Sequence, residues 1–172
     1  MIKALIFDCF GVLYTGPLFT NGGGSSNGMF NDNSFTVPVS PLLGISALEA
    51  DQQFFHSSKR NEQLLKFIQE LRKTYKIGLL SNVGGNTLDG FFSSEERQQL
   101  FDEVVLSGEV NLAKPDRAIF ELICSRLGVK LDEAIMIDDM QATCDIVKTF
   151  GMQSVCYKDF EQLKAELTIL IQ

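Results

Sequence analysis

Apolar positions along this chain follow two rhythms. Short unbroken runs, each closed by a polar residue, alternate with longer stretches where apolar residues recur every three or four positions. Residues 3–8 form the first run, which ends at Asp8 and continues as Cys9-Phe10-Gly11-Val12-Leu13. Residues 62–74 read as a helix, with Leu64, Phe67, Ile68, Leu71 and Tyr75 at helical spacing. Residues 76–81 form a second apolar strand, ending in the turn Asn82-Val83-Gly84-Gly85-Asn86. Ser93 with Glu96 has the form of a capping box before a short helix. A third strand is expected over 102–107, around Val104, Val105 and Leu106. Pro115 is placed to open a helix running to Leu127, with Gly128 ending it. A fourth buried run, Ala134-Ile135-Met136-Ile137, closes at Asp138-Asp139. A helix over 141–150 then ends at Gly151, and a fifth strand covers 154–157. Asp159 is placed to cap a last helix that turns Phe160, Leu163, Leu167 and Leu170 inward.

Strands that are apolar throughout must be covered on both faces, and here they alternate with helices. The pattern predicts an α/β chain with a doubly wound, mostly parallel sheet. Right-handed crossovers put the C-terminal ends of all its strands on one edge, where ligands bind in such folds. That edge collects Asp8, Ser81 and Asp138-Asp139.

Residues 15–60 break the rhythm. The stretch Asn21-Gly22-Gly23-Gly24-Ser25-Ser26-Asn27-Gly28 reads as flexible or tightly turning chain. Phe35-Thr36-Val37-Pro38-Val39 has the form of a short edge strand, and Ser46-Ala47-Leu48-Glu49 that of a capping box before a helix to about Ser57. This segment is an insertion after the first strand. Its Phe19, Met29, Phe30 and Phe35 are suited to covering the core opening or to a contact between two copies.

Composition adds limits. The chain has 172 residues, enough for one domain with a sizeable core, and its formal charge of −7 does not suit a protein that works on a nucleic-acid backbone. Cys9, Cys124, Cys144 and Cys156 form no CxxC pair and His56 is the single histidine, which argues against zinc and against a disulfide framework. Buried free thiols in a reducing compartment are expected. No apolar stretch is long enough to span a bilayer, so the expected location is cytoplasmic.

The candidate chemistry lies at the strand ends. A carboxylate closing a buried strand needs a counter-charge or a cation, because burying it alone costs several kcal/mol. Asp8 is in that position, and Gly11 after it permits an unusual backbone turn. Asp138-Asp139 repeats the situation, and two adjacent carboxylates suit a hard divalent cation such as Mg2+. Lys114 is a candidate to neutralise an anion, and Ser81 with Asn82 to hold an anion's oxygens. Each of these residues also has a plain use: a turn, a helix cap or exposed surface.

Phe7-Asp8-Cys9-Phe10-Gly11-Val12-Leu13 resembles the first motif of the haloacid dehalogenase-like (HAD) superfamily. Leu80-Ser81-Asn82 resembles the second motif. Lys114-Pro115-Asp116, followed by Ile119-Phe120, resembles the third, and Ile135-Met136-Ile137-Asp138-Asp139 the fourth. The resemblance covers residues 1–14 and 61–172, with 15–60 as a reduced cap or flexible insertion. It implies a Rossmann-like core of about five strands in the order 3-2-1-4-5, flanked by helices. For the phosphatases of the superfamily, it implies that Asp8 is the nucleophile and forms an aspartyl-phosphate. Asp8, the backbone carbonyl of Phe10 and Asp139, helped by Asp138, would bind Mg2+. Ser81 and the following backbone N–H, that of Asn82, would hold the phosphoryl oxygens, and Lys114 would offset the crowded charge.

Two departures qualify the resemblance: the cap after the first motif is reduced, where the superfamily's helical cap is usually longer and amphipathic, and an acid–base residue is missing. Most phosphatases of the superfamily carry a second aspartate two residues after the nucleophile, as acid and base; this chain has Phe10. Such assistance is worth about 10²–10⁴-fold in rate. An aromatic there, with Ser81-Asn82, also resembles the 2-haloacid dehalogenases, but these lack the paired aspartates and use a cap arginine, while this insertion has only Arg60. Val12 also stands where the dehalogenases usually have threonine. The expected function is a Mg2+-dependent phosphatase acting on a small phosphorylated molecule. The alternatives are a catalytically weak HAD-like binding protein and a 2-haloacid dehalogenase-like hydrolase. No nucleic acid or membrane partner is expected, and the chain would be a monomer or a homodimer.

Overall fold

Strand β1 (Ala4–Phe7) is buried at all four positions and pairs in parallel on both sides, with β4 (Lys76–Ser81) and with β6 (Ala134–Asp138). β5 (Glu103–Leu106) extends the sheet beyond β4, and β7 (Gln153–Cys156) extends it beyond β6. The computed structural model describes residues 1–16, 56–84 and 87–171. Its main sheet is 5-stranded, in the order β5-β4-β1-β6-β7. Numbered along the chain as five strands, this is the expected order 3-2-1-4-5.

The side-chain alternation of the strands divides the core into two layers. Leu5 and Phe7 of β1, Ile77 and Leu79 of β4, and Ile135 and Ile137 of β6 face one side. There they pack against helix α1 (Glu62–Leu71) through Leu64 and Ile68, and against helix α6 (Phe160–Leu170) through Leu163 and Leu167. Ala4, Ile6, Leu80, Val105 and Met136 face the other side, against helix α4 (Arg117–Leu127) and helix α5 (Gln141–Thr149). Gly78 lies on this second face because α4 comes close: a Cβ there would sit 2.9 Å from Ile123 and 3.0 Å from Leu127.

Local signals set most boundaries. Ser93 and Glu96 form the expected capping box before helix α2 (Ser94–Leu100), and Asp159 accepts from the Gln162 N–H at the start of α6. Gly128 takes the left-handed conformation, φ 72°, at the end of α4. Several boundaries differ from the reading of the sequence, among them the fifth strand, which spans Gln153–Cys156 and not 154–157. Helix α4 begins at Arg117 and not at Pro115, because the Asp116 carboxylate caps it by accepting from the Ala118 N–H at 3.0 Å. Ser107 does not extend β5 but opens the short helix α3 (Ser107–Val110). Helix α1 stops at Leu71, three residues short of the expected end, and the chain turns back into β4.

A second, 2-stranded sheet pairs β2 (Tyr14–Thr15) with β3 (Lys59–Arg60), antiparallel, with Tyr14 opposite Arg60. The chain leaves for the insertion and returns from it through this pair. The glycine-rich stretch 21–28, the edge strand expected over 35–39, the start of the helix expected from Ser46, and the apolar residues Phe19, Met29, Phe30 and Phe35 lie outside the described residues. His56 and Ser57 are helical. Among the described residues, no helix is long and apolar enough to cross a membrane. The cysteines are free thiols, with Cys9, Cys124 and Cys144 buried and Cys156 partly exposed.

Phe120 on α4 is fully buried in the second layer. Phe120→Ala is expected to lower the free energy of unfolding by about 3–5 kcal/mol, read as a shift of the urea midpoint at constant slope. A loss below about 1 kcal/mol would mean that α4 does not pack as described.

Candidate active site

The C-terminal ends of β1, β4 and β6 carry the polar residues. Asp8 is one residue past β1, and its N–H donates to the Ile137 carbonyl at 2.9 Å, continuing the ladder with β6. The chain then turns sharply. The N–H groups of Leu13 and Tyr14 both donate to the Cys9 carbonyl, at 2.8 and 2.9 Å, and Gly11 takes φ +91°. This turn brings the Cys9 N–H onto the Asp8 carboxylate oxygen Oδ1 at 2.7 Å. Asp8 is 8% exposed.

Lys114 is the counter-charge. It is 7% exposed, and its Nζ lies 2.9 Å from Asp8 Oδ1 and 2.6 Å from Asp138 Oδ2. The other Asp138 oxygen, Oδ1, accepts from the Met140 N–H at 2.9 Å, and Asp138 is fully buried. Both of its carboxylate oxygens therefore have protein partners. Asn82 joins the arrangement from the end of β4. Its side-chain Nδ2 donates to the Lys114 carbonyl at 2.8 Å, and its Oδ1 accepts from the Lys114 N–H at 2.8 Å. Ser81, the last residue of β4, is 2% exposed, and its hydroxyl has no hydrogen-bond partner among the described residues.

One ammonium does not neutralise three carboxylates. One oxygen from each of Asp8, Asp138 and Asp139 lies within 4.8 Å of the others. Asp8 is pushed up from 3.8 to about 7, by burial above all, with the pull of Lys114 partly offset by Asp138 and Asp139. Asp139 is pushed up to about 6 by burial and then by Asp138. Burial works against the charge on Lys114, but Asp138 and Asp8 outweigh it and hold the ammonium above its ordinary range. An isolated ion pair would lower the aspartate and raise the lysine. Here both rise: burial lifts Asp8 against the pull of Lys114, with Asp138 and Asp139 adding to it, while Asp138 and Asp8 hold the ammonium charged.

That excess fits a hard cation. The donors are carboxylate oxygens, the ligand type that a hard cation such as Mg2+ takes. The turn after β1 leaves space for them: a Cβ on Gly11 would collide with both Cγ and Oδ2 of Asp139. The Asp139 carboxylate thus occupies the place a side chain at position 11 would take.

Phe10 follows two residues after Asp8 in the same turn. Its ring packs edge-on against Phe91 at 4.9 Å and near Tyr14 at 6.5 Å. The Tyr14 hydroxyl donates to the Phe91 carbonyl at 2.6 Å. Arg60 closes the group: it lies over the Phe92 ring at 5.3 Å, donates to Glu96 at 2.7 Å and reaches the Tyr14 hydroxyl at 3.3 Å. Asn61 caps α1 and donates to the Val12 carbonyl and to the Tyr157 hydroxyl. Tyr14, Arg60 and Asn61 hold the root of the insertion beside the site. Sequence reading missed Tyr14 and Asn61, and only the polar Asn61 ahead of an amphipathic run signalled a cap. Beside Gly11 and Asp139 opens a cleft of about 770 Å³, lined among the described residues by Thr15, Lys59, Tyr157 and Lys158. The thiols of Cys144 and Cys156 lie against the carbonyls of Asp138 and Asp139, at 3.4 and 3.6 Å.

Residues 45–157 match the family model of the haloacid dehalogenase-like hydrolases. The match includes Ser81, Lys114, Asp138 and Asp139 and begins after Asp8. It spans more than half of the chain, and the chain belongs to this family. Among curated proteins, the chain is 24% identical over 127 residues to the drimenol cyclase drtB of Aspergillus calidoustus, covering 74% of this chain and 23% of the cyclase. It is 33% identical over 82 residues to human N-acylneuraminate-9-phosphatase, covering 48% of this chain and 33% of that enzyme. The chain thus spans a third or less of the length of these two relatives. A HAD family enzyme of Bacteroides thetaiotaomicron, solved with magnesium and inorganic phosphate, shares the fold with a TM-score of 0.74 and 20% identity, over 95% of this chain and 98% of that one.

The raised carboxylates give a test. Without metal, the folded chain keeps protons on Asp8 and Asp139 up to about pH 7 and about pH 6, while the unfolded chain loses them near 3.8. Their contribution to stability is therefore full below about pH 4 and is lost as the pH rises towards 7. Magnesium needs the ionised forms, so the rise in Tm that millimolar Mg2+ produces over EDTA should grow across the same window. Gly11→Ala should remove most of that rise. A Mg2+ effect independent of pH, or unchanged by Gly11→Ala, would contradict the cation site.

Proposed function

We propose that this chain is a magnesium-dependent hydrolase that removes phosphate from a small phosphorylated molecule through an aspartyl-phosphate at Asp8. The observation that carries the reading is the buried Asp8 carboxylate, set between the Lys114 ammonium and two further carboxylates. Family membership supports it, as do the phosphatase relative and the fold neighbour that binds magnesium and phosphate.

In this reading, an Asp8 carboxylate oxygen attacks phosphorus. The bond from phosphorus to the leaving oxygen breaks, and that oxygen departs with the electron pair. Water then attacks the aspartyl-phosphate, releasing inorganic phosphate and restoring the carboxylate. Lys114 stays protonated throughout and offsets the charge of nucleophile and phosphoryl group. The Ser81 hydroxyl donates to a phosphoryl oxygen. Asp8, Asp139 and the Phe10 carbonyl would hold Mg2+, with Asp138 behind them, and the ion supplies positive charge against the phosphoryl oxygens. The rest of the substrate occupies the cleft beside Gly11 and Asp139.

Phe10 shapes the first step. It offers no proton to the leaving oxygen, and the nearby Tyr14 hydroxyl is committed to the Phe91 carbonyl. Turnover should favour esters whose leaving group departs as an anion, with alkyl phosphates slower by about 10²–10⁴-fold, the usual worth of acid–base help. The same residue favours a second reading, a HAD-like binding domain with little turnover. The dehalogenase reading has less support, because the Arg60 guanidinium is engaged by Glu96, Tyr14 and the Phe92 ring.

Phosphate release from p-nitrophenyl phosphate separates the readings. The expected result is turnover with Mg2+ that EDTA stops and Asp8→Asn abolishes. Equal background rates for the two chains would end the phosphatase reading and leave the binding domain. Halide release from a short haloacid that persists in EDTA would establish the dehalogenase instead.

A further inference from the structure

The Asn82 side chain has a use that its position next to Ser81 does not suggest. Its amide donates to the carbonyl and accepts from the N–H of one residue, Lys114, at 2.8 Å in both directions. The partners are 32 positions apart in sequence and lie in different loops at the same sheet edge. The pairing also fixes which way the amide points. Reversed, it would set an oxygen against the Lys114 carbonyl and an NH2 against the Lys114 N–H. An aspartate at this position would have the same fault on the carbonyl side.

Lys114 needs such an anchor. A lysine side chain is a flexible four-carbon stem, yet its ammonium must reach Asp8 and Asp138 together, at 2.9 and 2.6 Å. The two carboxylates fix the far end of the stem and Asn82 fixes the root. We propose that the Asn82 side chain positions Lys114 and is not a ligand of the phosphoryl group. The inference rests on the proposed role of Lys114 in phosphoryl transfer.

A double-mutant cycle tests it in the full chain with Mg2+, using Asn82→Ala, Lys114→Ala and the combination on p-nitrophenyl phosphate. Asn82→Ala should lower kcat by about 10²-fold, the cost of misplacing a catalytic group by about 1 Å, with KM and Tm little changed. In the Lys114→Ala background it should cause no further loss, because the group it positions is gone. The dissociation constant for inorganic phosphate should likewise be the same for Lys114→Ala and for the double variant. Losses that multiply, or weaker phosphate binding in the double variant, would make Asn82 a direct ligand and overturn the proposal. Should Asn82→Ala fail to fold, Asn82→Ser runs the same cycle. Full activity in Lys114→Ala would remove the role being positioned and overturn the proposal, whereas activity in Asp8→Asn would overturn the phosphatase reading itself.

Discussion

A protonated lysine buried between two aspartates is the interaction around which this site is organised. Lys114 is 7% exposed and Asp138 is fully buried, so neither charge could remain without the other. Removing one partner of such a pair costs about 3–5 kcal/mol, because the other is left buried and uncompensated. Asp8 shares the same ammonium, and burial first, then the neighbouring carboxylates, raise its pKa against that pull. The excess of carboxylates over that one ammonium is what the proposed cation would offset. The sheet makes the arrangement possible. β1 and β6 end side by side, and the loop carrying Lys114 is tied to the end of β4 by Asn82.

Much of this was legible in the sequence because burial leaves strong marks. A strand covered on both faces must be apolar throughout, so a carboxylate at its end stands out, and Asp8 and Asp138 were visible for that reason. The alternation of elements gave a parallel sheet, and its strand order followed from the resemblance of four short motifs. Boundaries were less legible where two local signals competed. Pro115 suits a helix start, yet Asp116 caps the helix and moves its first residue to Arg117. The partners of Asn82 were not legible either. Nothing in a single sequence says that an amide will be taken by a backbone 32 residues away. Tyr14 and Arg60 are similar cases, since they meet Phe91 and Glu96 only once the chain has returned from the insertion.

Phe10 sets the chemical character of the site. It belongs to an aromatic group with Phe91 and Tyr14 that also anchors the root of the insertion. One residue thus lies where help to the leaving group would be expected and also in the packing that holds the insertion's ends. Under the proposed mechanism, turnover would depend on the substrate to supply a good leaving group.

The central claim is that the phosphoryl group passes through Asp8. Its most direct test is to quench the chain with acid during turnover of an acyl phosphate and to map the phosphorylated residue by mass spectrometry after borohydride reduction. The account predicts reduction of Asp8 to homoserine, dependent on magnesium and absent in Asp8→Asn. Phosphate release with no modification of Asp8, or with the phosphoryl group on another residue, would contradict it.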